Sequence, residues 1–132
     1  MAIEVKQMKS LALAYIGDAV YELHVRHFLI ESGQVQPHRL HQSAIKYVSA
    51  NAQASIINHM MEAGILTDEE RAVIRRGRNA KSASVPKNVS AQAYRYSTGF
   101  EALIGYLYLK ENGPRLNELI MESIQFINSQ EQ

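Results

Sequence analysis

From Leu11 to Ile30 the chain reads LALAYIGDAVYELHVRHFLI, a run without proline in which apolar residues recur at three- and four-residue spacings. Leu11 and Tyr15 stand four apart, then Val20 and Leu23 three apart with Phe28 beyond, a recurrence like that of a long core helix. The same period continues through most of the chain, and no segment alternates as a half-buried strand does. The fold class expected is all-α.

Turn and cap residues divide the pattern. Gly33 and Pro37 close a first loop, and Pro37 is placed to open the next helix. His38 to Met61 reads as one helix or two, with Ser49 as the point of division, and Gly64 ends that run. Thr67-Asp-Glu-Glu70 has the form of a capping box, with extra acids that complement the helix dipole. The helix it opens is expected to stop near Gly77. The segment NAKSASVPKNVS that follows is polar, contains Pro86 and has no period. At about eleven residues this loop exceeds the usual connection between helices, and long ordered loops are more often functional. Ser90 caps a further helix, with Gly113 read as its C-terminal stop. Pro114 starts a last amphipathic helix with Leu116, Leu119, Ile120, Ile124 and Ile127 on one side. Residues 1–132 are expected to form one domain, long enough to bury a core without disulfides.

The chain has no cysteine, which excludes disulfides and thiolate metal sites. Its first residues, MAIEVKQMKS, lack the apolar core of a signal peptide. No stretch approaches the roughly 20 apolar residues of a membrane span. A cytoplasmic protein without a membrane partner is expected. The net charge of +1 says little, but its distribution says more. From Arg71 to Arg95 every charged residue is basic: Arg71, Arg75, Arg76, Arg78, Lys81, Lys87 and Arg95, half of the 14 Lys and Arg. A local field of one sign suits an anionic polymer. A solvated helix face accounts for Arg71, Arg75 and Arg78 but not for the continuation through the loop. The glycine and serines of RGRNAKSAS leave backbone amides available for phosphate.

Two acids stand out by context. Asp18 lies in YIGDAVY and Glu101 in GFEALIGYLYL, each beside a glycine and between apolar residues. A carboxylate so placed is expected to lose much of its water on folding. Two such groups brought together repel unless a cation or a proton sits between them. Oxygen ligands shared with phosphate point to Mg²⁺; the alternative is that each acid pairs with an arginine or caps a backbone group. His24 with His27, and His38 with His41, have helical i, i+3 spacing, but without cysteine or an HExxH sequence a zinc site is not expected. Glu22 reads as exposed or at a subunit contact, and capping accounts for Glu69 and Glu70. The tyrosines of YRYS and GYLYL read mostly as core, with Tyr94 or Tyr96 placed to touch a sugar-phosphate backbone beside Arg95.

These segments resemble a known family. LALAYIGDAVYELHVRHFL resembles the LEFLGDAVLEL signature of ribonuclease III, STGFEALIGYLYL its ADTFEALIGAIYLD segment, and KYVSANAQASI its LVSNEALAEI helix. ALAYIGDA, RGRNAKS, PKN and YRYSTGFEALIGYL are similar to the Mini-III branch, which lacks the double-stranded-RNA-binding domain. The resemblance implies an all-helical endonuclease fold acting as a homodimer on double-stranded RNA with Mg²⁺. It further implies maturation of the large-subunit (23S) ribosomal RNA precursor, 5′-phosphate and 3′-hydroxyl products, and one strand cut by each subunit. Carried over, Asp18 matches the metal-binding aspartate of GDA and Glu101 the metal-binding glutamate of FEA. The two glutamates ahead of GDA in the family fall on Leu11 and Ala14, the aspartate of ADTFEA on Thr98, and the glutamate of the SNEALA helix on Asn51. Two of the usual four metal carboxylates remain.

The catalytic and metal residues expected are therefore Asp18 and Glu101. Arg76, Arg78, Lys81, Lys87 and Arg95 are the candidate RNA contacts, since duplex RNA is read through phosphates and 2′-hydroxyls. A ribosomal protein is a further candidate partner. The rivals are a non-catalytic double-stranded-RNA-binding module, which the missing carboxylates favour, and a helical adaptor, which leaves the one-sign charge cluster without a purpose.

Overall fold

The computed structural model describes residues 4–80 and 85–130. Among them are six α-helices and no strand: α1 (Ser10–Glu31), α2 (Pro37–Val48), α3 (Ala50–Ala63), α4 (Asp68–Asn79), α5 (Ala91–Leu109) and α6 (Gly113–Ser129), with a single 3₁₀ turn at Val5–Gln7. The fold is all-α, as the periodicity requires. No described helix is long and apolar enough to cross a membrane.

α5 is the central helix, packed chiefly on α1, α4 and α3. Between Ser97 and Leu107 every residue except Glu101 is buried. Such close wrapping needs backbones that approach each other. A Cβ at Gly105 would stand 1.9 Å from the Leu13 carbonyl oxygen, and one at Gly77 would stand 2.8 Å from the Gly99 Cα. The glycines of α5 thus let α1 and α4 press onto it from two sides. Tyr21 meets Phe100 edge-on at 4.9 Å in the core between α1 and α5.

The chain divides between α2 and α3 at Ser49, whose hydroxyl accepts from the Ala52 amide. Thr67 and Glu70 form the full capping box at the start of α4. Gly64 closes α3 with a left-handed φ of +69°. Leu116, Leu119, Ile120, Ile124 and Ile127 form the buried side of α6.

Several boundaries and faces differ from expectation. α4 continues to Asn79, because Gly77 serves packing against α5 rather than termination. Gly113 is the first residue of α6 and not the stop of α5. Lys110 ends α5 and Glu111 takes the left-handed turn instead, while the Asn112 side chain accepts from the Arg115 amide as the cap of α6. On α1 the inward face is Leu13, Ala14, Gly17, Val20, Tyr21, Val25 and Leu29. Leu11, Tyr15 and Leu23 point outward with 44%, 83% and 67% of their surface exposed. α1 is apolar nearly all round, so its spacing alone did not distinguish the two faces. Tyr106 is core, but Tyr108 is exposed.

Candidate active site

Gly17 on α1 sits against the α5 backbone at Glu101. The next residue, Asp18, therefore stands at the mouth of the α1–α5 contact, with the Glu101 side chain facing it. Asp18 is exposed and Glu101 half-buried, so Asp18 keeps more water than its apolar neighbours in sequence imply. The helical turn explains this: Gly17 takes the buried position, and Asp18 lies a hundred degrees further round.

The two carboxyls interact directly. Burial pushes the Glu101 carboxyl up to about 8, the Asp18 charge adds to the effect, and a hydrogen bond to Asp18 adds further. Each of these causes favours the protonated form of Glu101. The amide of Gln53 acts in the opposite direction, donating to Glu101. This is the arrangement of two like charges held by a proton where a cation can take the proton's place.

The donor set fits Mg²⁺. Among the described residues no group of three His, Cys, Asp or Glu side chains gathers. Mg²⁺ commonly takes one or two protein carboxylates and keeps several waters or substrate phosphates. Ala14 and Thr98, which stand at carboxylate positions of the ribonuclease III pattern, are both buried, and the Thr98 hydroxyl is occupied with the Tyr94 carbonyl at 3.0 Å. His24 and His27 are engaged locally: His24 Nδ1 lies 2.9 Å from the Val20 carbonyl, and His27 pairs with Glu31. Glu22 is exposed and paired with Arg26.

Among the described residues, the candidate arginines are divided between two recesses. Arg78 and Arg95 line one recess with Asn79, Gln92 and Tyr96. Arg76 lines another with Lys6, Glu69, Tyr106 and Lys110. Two residues apart on a helix means about 200° apart around its axis, so Arg76 and Arg78 diverge. Arg78 is half-buried: its guanidinium lies 5.1 Å from the centre of the Tyr96 ring and donates to its hydroxyl at 3.2 Å. Arg76, Lys87 and Arg95 are exposed, and Lys81 lies outside the described residues.

Two features escaped the sequence. Gln53 of α3 reaches Glu101 from a third helix; its signal was a glutamine four and seven residues before Ile57 and Met60, at an inward position. Glu70 does more than cap: it is 5% exposed and forms a forked pair with Arg115, whose Nε and Nη2 donate at 2.8 and 2.7 Å. Arg115 also donates to the Ile65 carbonyl, joining α6 to the start of α4. Glu69 accepts from Tyr106 and Lys110.

Comparison with known proteins identifies the family and the fold. The ribonuclease III domain family matches residues 11–112. The chain is 50% identical to a Mini-ribonuclease 3 of Enterococcus faecalis, over 87% of each chain. It is 47% identical to the Mini-ribonuclease 3 of Streptococcus pneumoniae, over 93% of this chain and 96% of the relative. A crystal structure of a Fusobacterium nucleatum protein superposes with a TM-score of 0.81 at 25% identity, over 94% of this chain and 98% of that one.

Proposed function

The chain belongs to the ribonuclease III family, and we propose that it is an endoribonuclease that cuts double-stranded RNA with Mg²⁺. The observation that carries the catalytic reading is the facing pair of carboxyls, Asp18 and Glu101, at the point where the α1 and α5 backbones meet. A protein that only binds RNA gains nothing from such a pair. Asp18 and Glu101 would hold the cation through their carboxylate oxygens. When bound, Mg²⁺ lowers the pKa of a water and neutralises charge developing on the phosphate.

Arg78 and Arg95, with Arg76, Lys81 and Lys87, contact the RNA backbone. The exposed apolar side chains of α1, Leu11, Tyr15, Leu23 and Ile30, support assembly as a homodimer. Each subunit is one domain over residues 1–132, and the enzyme works in the cytoplasm. Its substrate, as for the Mini-III branch it resembles, is the 23S ribosomal RNA precursor, with a ribosomal protein as accessory partner.

The rival is a non-catalytic RNA-binding domain, favoured by the buried Ala14 and Thr98 at former carboxylate positions. Incubating the protein with an end-labelled RNA duplex and MgCl₂, then with EDTA, separates the two. Cleavage in the first and not the second supports the enzyme; binding without cleavage in both supports the rival.

A further inference from the structure

Arg78 is a half-buried cation that meets no counter-charge among the described residues. Its stem lies against Gly99, where a Cβ would stand 3.1 Å from the Arg78 Cγ, and its Nε is buried without a hydrogen-bond partner among those residues. The arginines in ion pairs there are Arg26 and Arg115, and the half-buried one, Arg115, meets both Glu70 and Glu118. Arg78 has Tyr96 alone, ring and hydroxyl. The ring offsets part of the lost hydration but carries no charge. The recess that Arg78 lines, about 220 Å³ in volume, is completed by Asn79, Gln92, Arg95 and Tyr96. Each of these side chains can donate a hydrogen bond, and none is a carboxylate. The Tyr96 hydroxyl accepts from Arg78, so its own proton is left to donate. Gln92 stands in the first turn of α5, where the helix dipole favours an anion.

We propose that this recess is a preformed seat for a single phosphate group, held by the two guanidinium groups and the neutral donors of Asn79, Gln92 and Tyr96. The seat takes a backbone phosphate of the duplex when RNA is bound and inorganic phosphate when it is not. The inference rests on the reading of Arg78 and Arg95 as RNA contacts. It adds the chemical unit that they recognise, three uncharged residues that recognise it with them, and a small anion that competes with RNA. An exposed basic face attracts any polyanion and needs no particular neutral neighbour. Planar guanidinium groups beside fixed donors select the geometry of a phosphate. Tyr96 lies five residues before Glu101 on α5, about 7.5 Å along the helix and about 140° around it. The seat is therefore separate from the cation site: it anchors a strand and takes no part in cutting it.

Titration of the RNA-free protein in EDTA with inorganic phosphate, followed by two-dimensional NMR beside sodium chloride at matched ionic strength, tests the seat. The resonances of Asn79, Gln92, Arg95 and Tyr96 are expected to shift and saturate with phosphate and not with chloride. Tyr96→Phe keeps the ring beside Arg78 and removes the hydroxyl; Gln92→Ala removes an exposed amide. Neither changes the net charge. Each is expected to weaken phosphate binding about fivefold. Each should weaken binding of a labelled RNA duplex by a similar factor, read by fluorescence anisotropy in EDTA. Phosphate should also displace the duplex from the parent at ionic strengths where chloride does not. Equal responses to phosphate and chloride overturn the proposal. Unchanged phosphate affinity in either variant overturns it too, since a diffuse positive field behaves in that way. Phosphate binding that weakens in both variants while duplex affinity stays at the parent value overturns the duplex half. The fault then lies with the reading of Arg78 and Arg95 as RNA contacts.

Discussion

The carbonyl oxygen of Glu101 stands where a side chain at position 17 would have to be: a Cβ on Gly17 would lie 1.8 Å from it. α1 and α5 therefore touch backbone to backbone at the level of the two carboxyls. This contact places Asp18 opposite Glu101, and the site inherits its geometry from a missing methyl group. Gly17→Ala must drive the helices apart. Overpacking of this severity costs about 3 kcal/mol or more. Gly113→Ala, at a position with nothing within 4 Å, serves as the control and stays within about 0.5 kcal/mol of the parent. Urea unfolding of both variants checks the contrast.

The proton on Glu101 gives the metal-free protein a characteristic pH dependence. The folded carboxyl releases its proton near pH 8, the unfolded one near 4.5. A raised folded value means that the stabilisation is fully present below 4.5 and is lost as pH rises through 8. Stability in EDTA should therefore fall across that window more steeply for the parent than for Glu101→Gln. MgCl₂ should reduce the loss at the alkaline end, where the cation no longer competes with the proton. Asp18→Asn should stabilise the metal-free protein above pH 8 by removing the facing charge. Parallel pH profiles for the parent and Glu101→Gln, measured by denaturant unfolding, contradict this.

Arg115 joins α6 to the start of α4 through Glu70, and the carboxyl is nearly inaccessible. Burial alone would raise the Glu70 carboxyl, but Arg115 and the Thr67 backbone amide outweigh it and hold it below its ordinary value. Arg115→Met strands a buried carboxylate and should cost about 3 kcal/mol. Adding Glu70→Gln should recover a large part of that loss, and a double-mutant cycle by urea unfolding measures the coupling.

The two arginines of the Tyr96 recess should behave differently. Arg95→Ala removes an exposed charge and should weaken RNA binding, with the slope of log K against log salt smaller by about 1 and Tm unchanged. Arg78→Ala should lower the slope and Tm together, because its guanidinium also packs on Tyr96. Fluorescence anisotropy across a salt series, beside calorimetry, distinguishes them.

Much of the fold was legible because caps and breakers act locally. Thr67, Gly64, Ser49 and Pro37 each mark a helix end for a stereochemical reason that needs no tertiary contact. The inward face of α1 was not legible from spacing, since Leu11 and Leu23 compete with Leu13 and Val20 for the same role. Only the glycine that must meet another backbone identifies the buried side. Gly77 misled for the related reason that a glycine can serve packing as well as termination. Asp18 and Glu101, which the structure brings face to face, were legible as a pair because acids stand out among apolar residues. Gln53 was missed because an amide is a weaker anomaly, and Arg115 with Glu70 because their pairing spans 45 residues. The expected dehydration of Asp18 failed because sequence neighbours on a helix do not share a face.

The central claim is that Asp18 and Glu101 together hold the cation that makes this domain a nuclease. Cleavage of an end-labelled RNA duplex in MgCl₂ by the parent, Asp18→Asn and Glu101→Gln tests it most directly, with duplex binding measured in parallel. Each variant should bind the duplex while its cleavage rate drops about a thousandfold, which corresponds to roughly 4 kcal/mol of transition-state stabilisation. Cleavage at near the parent rate by either variant would contradict the account.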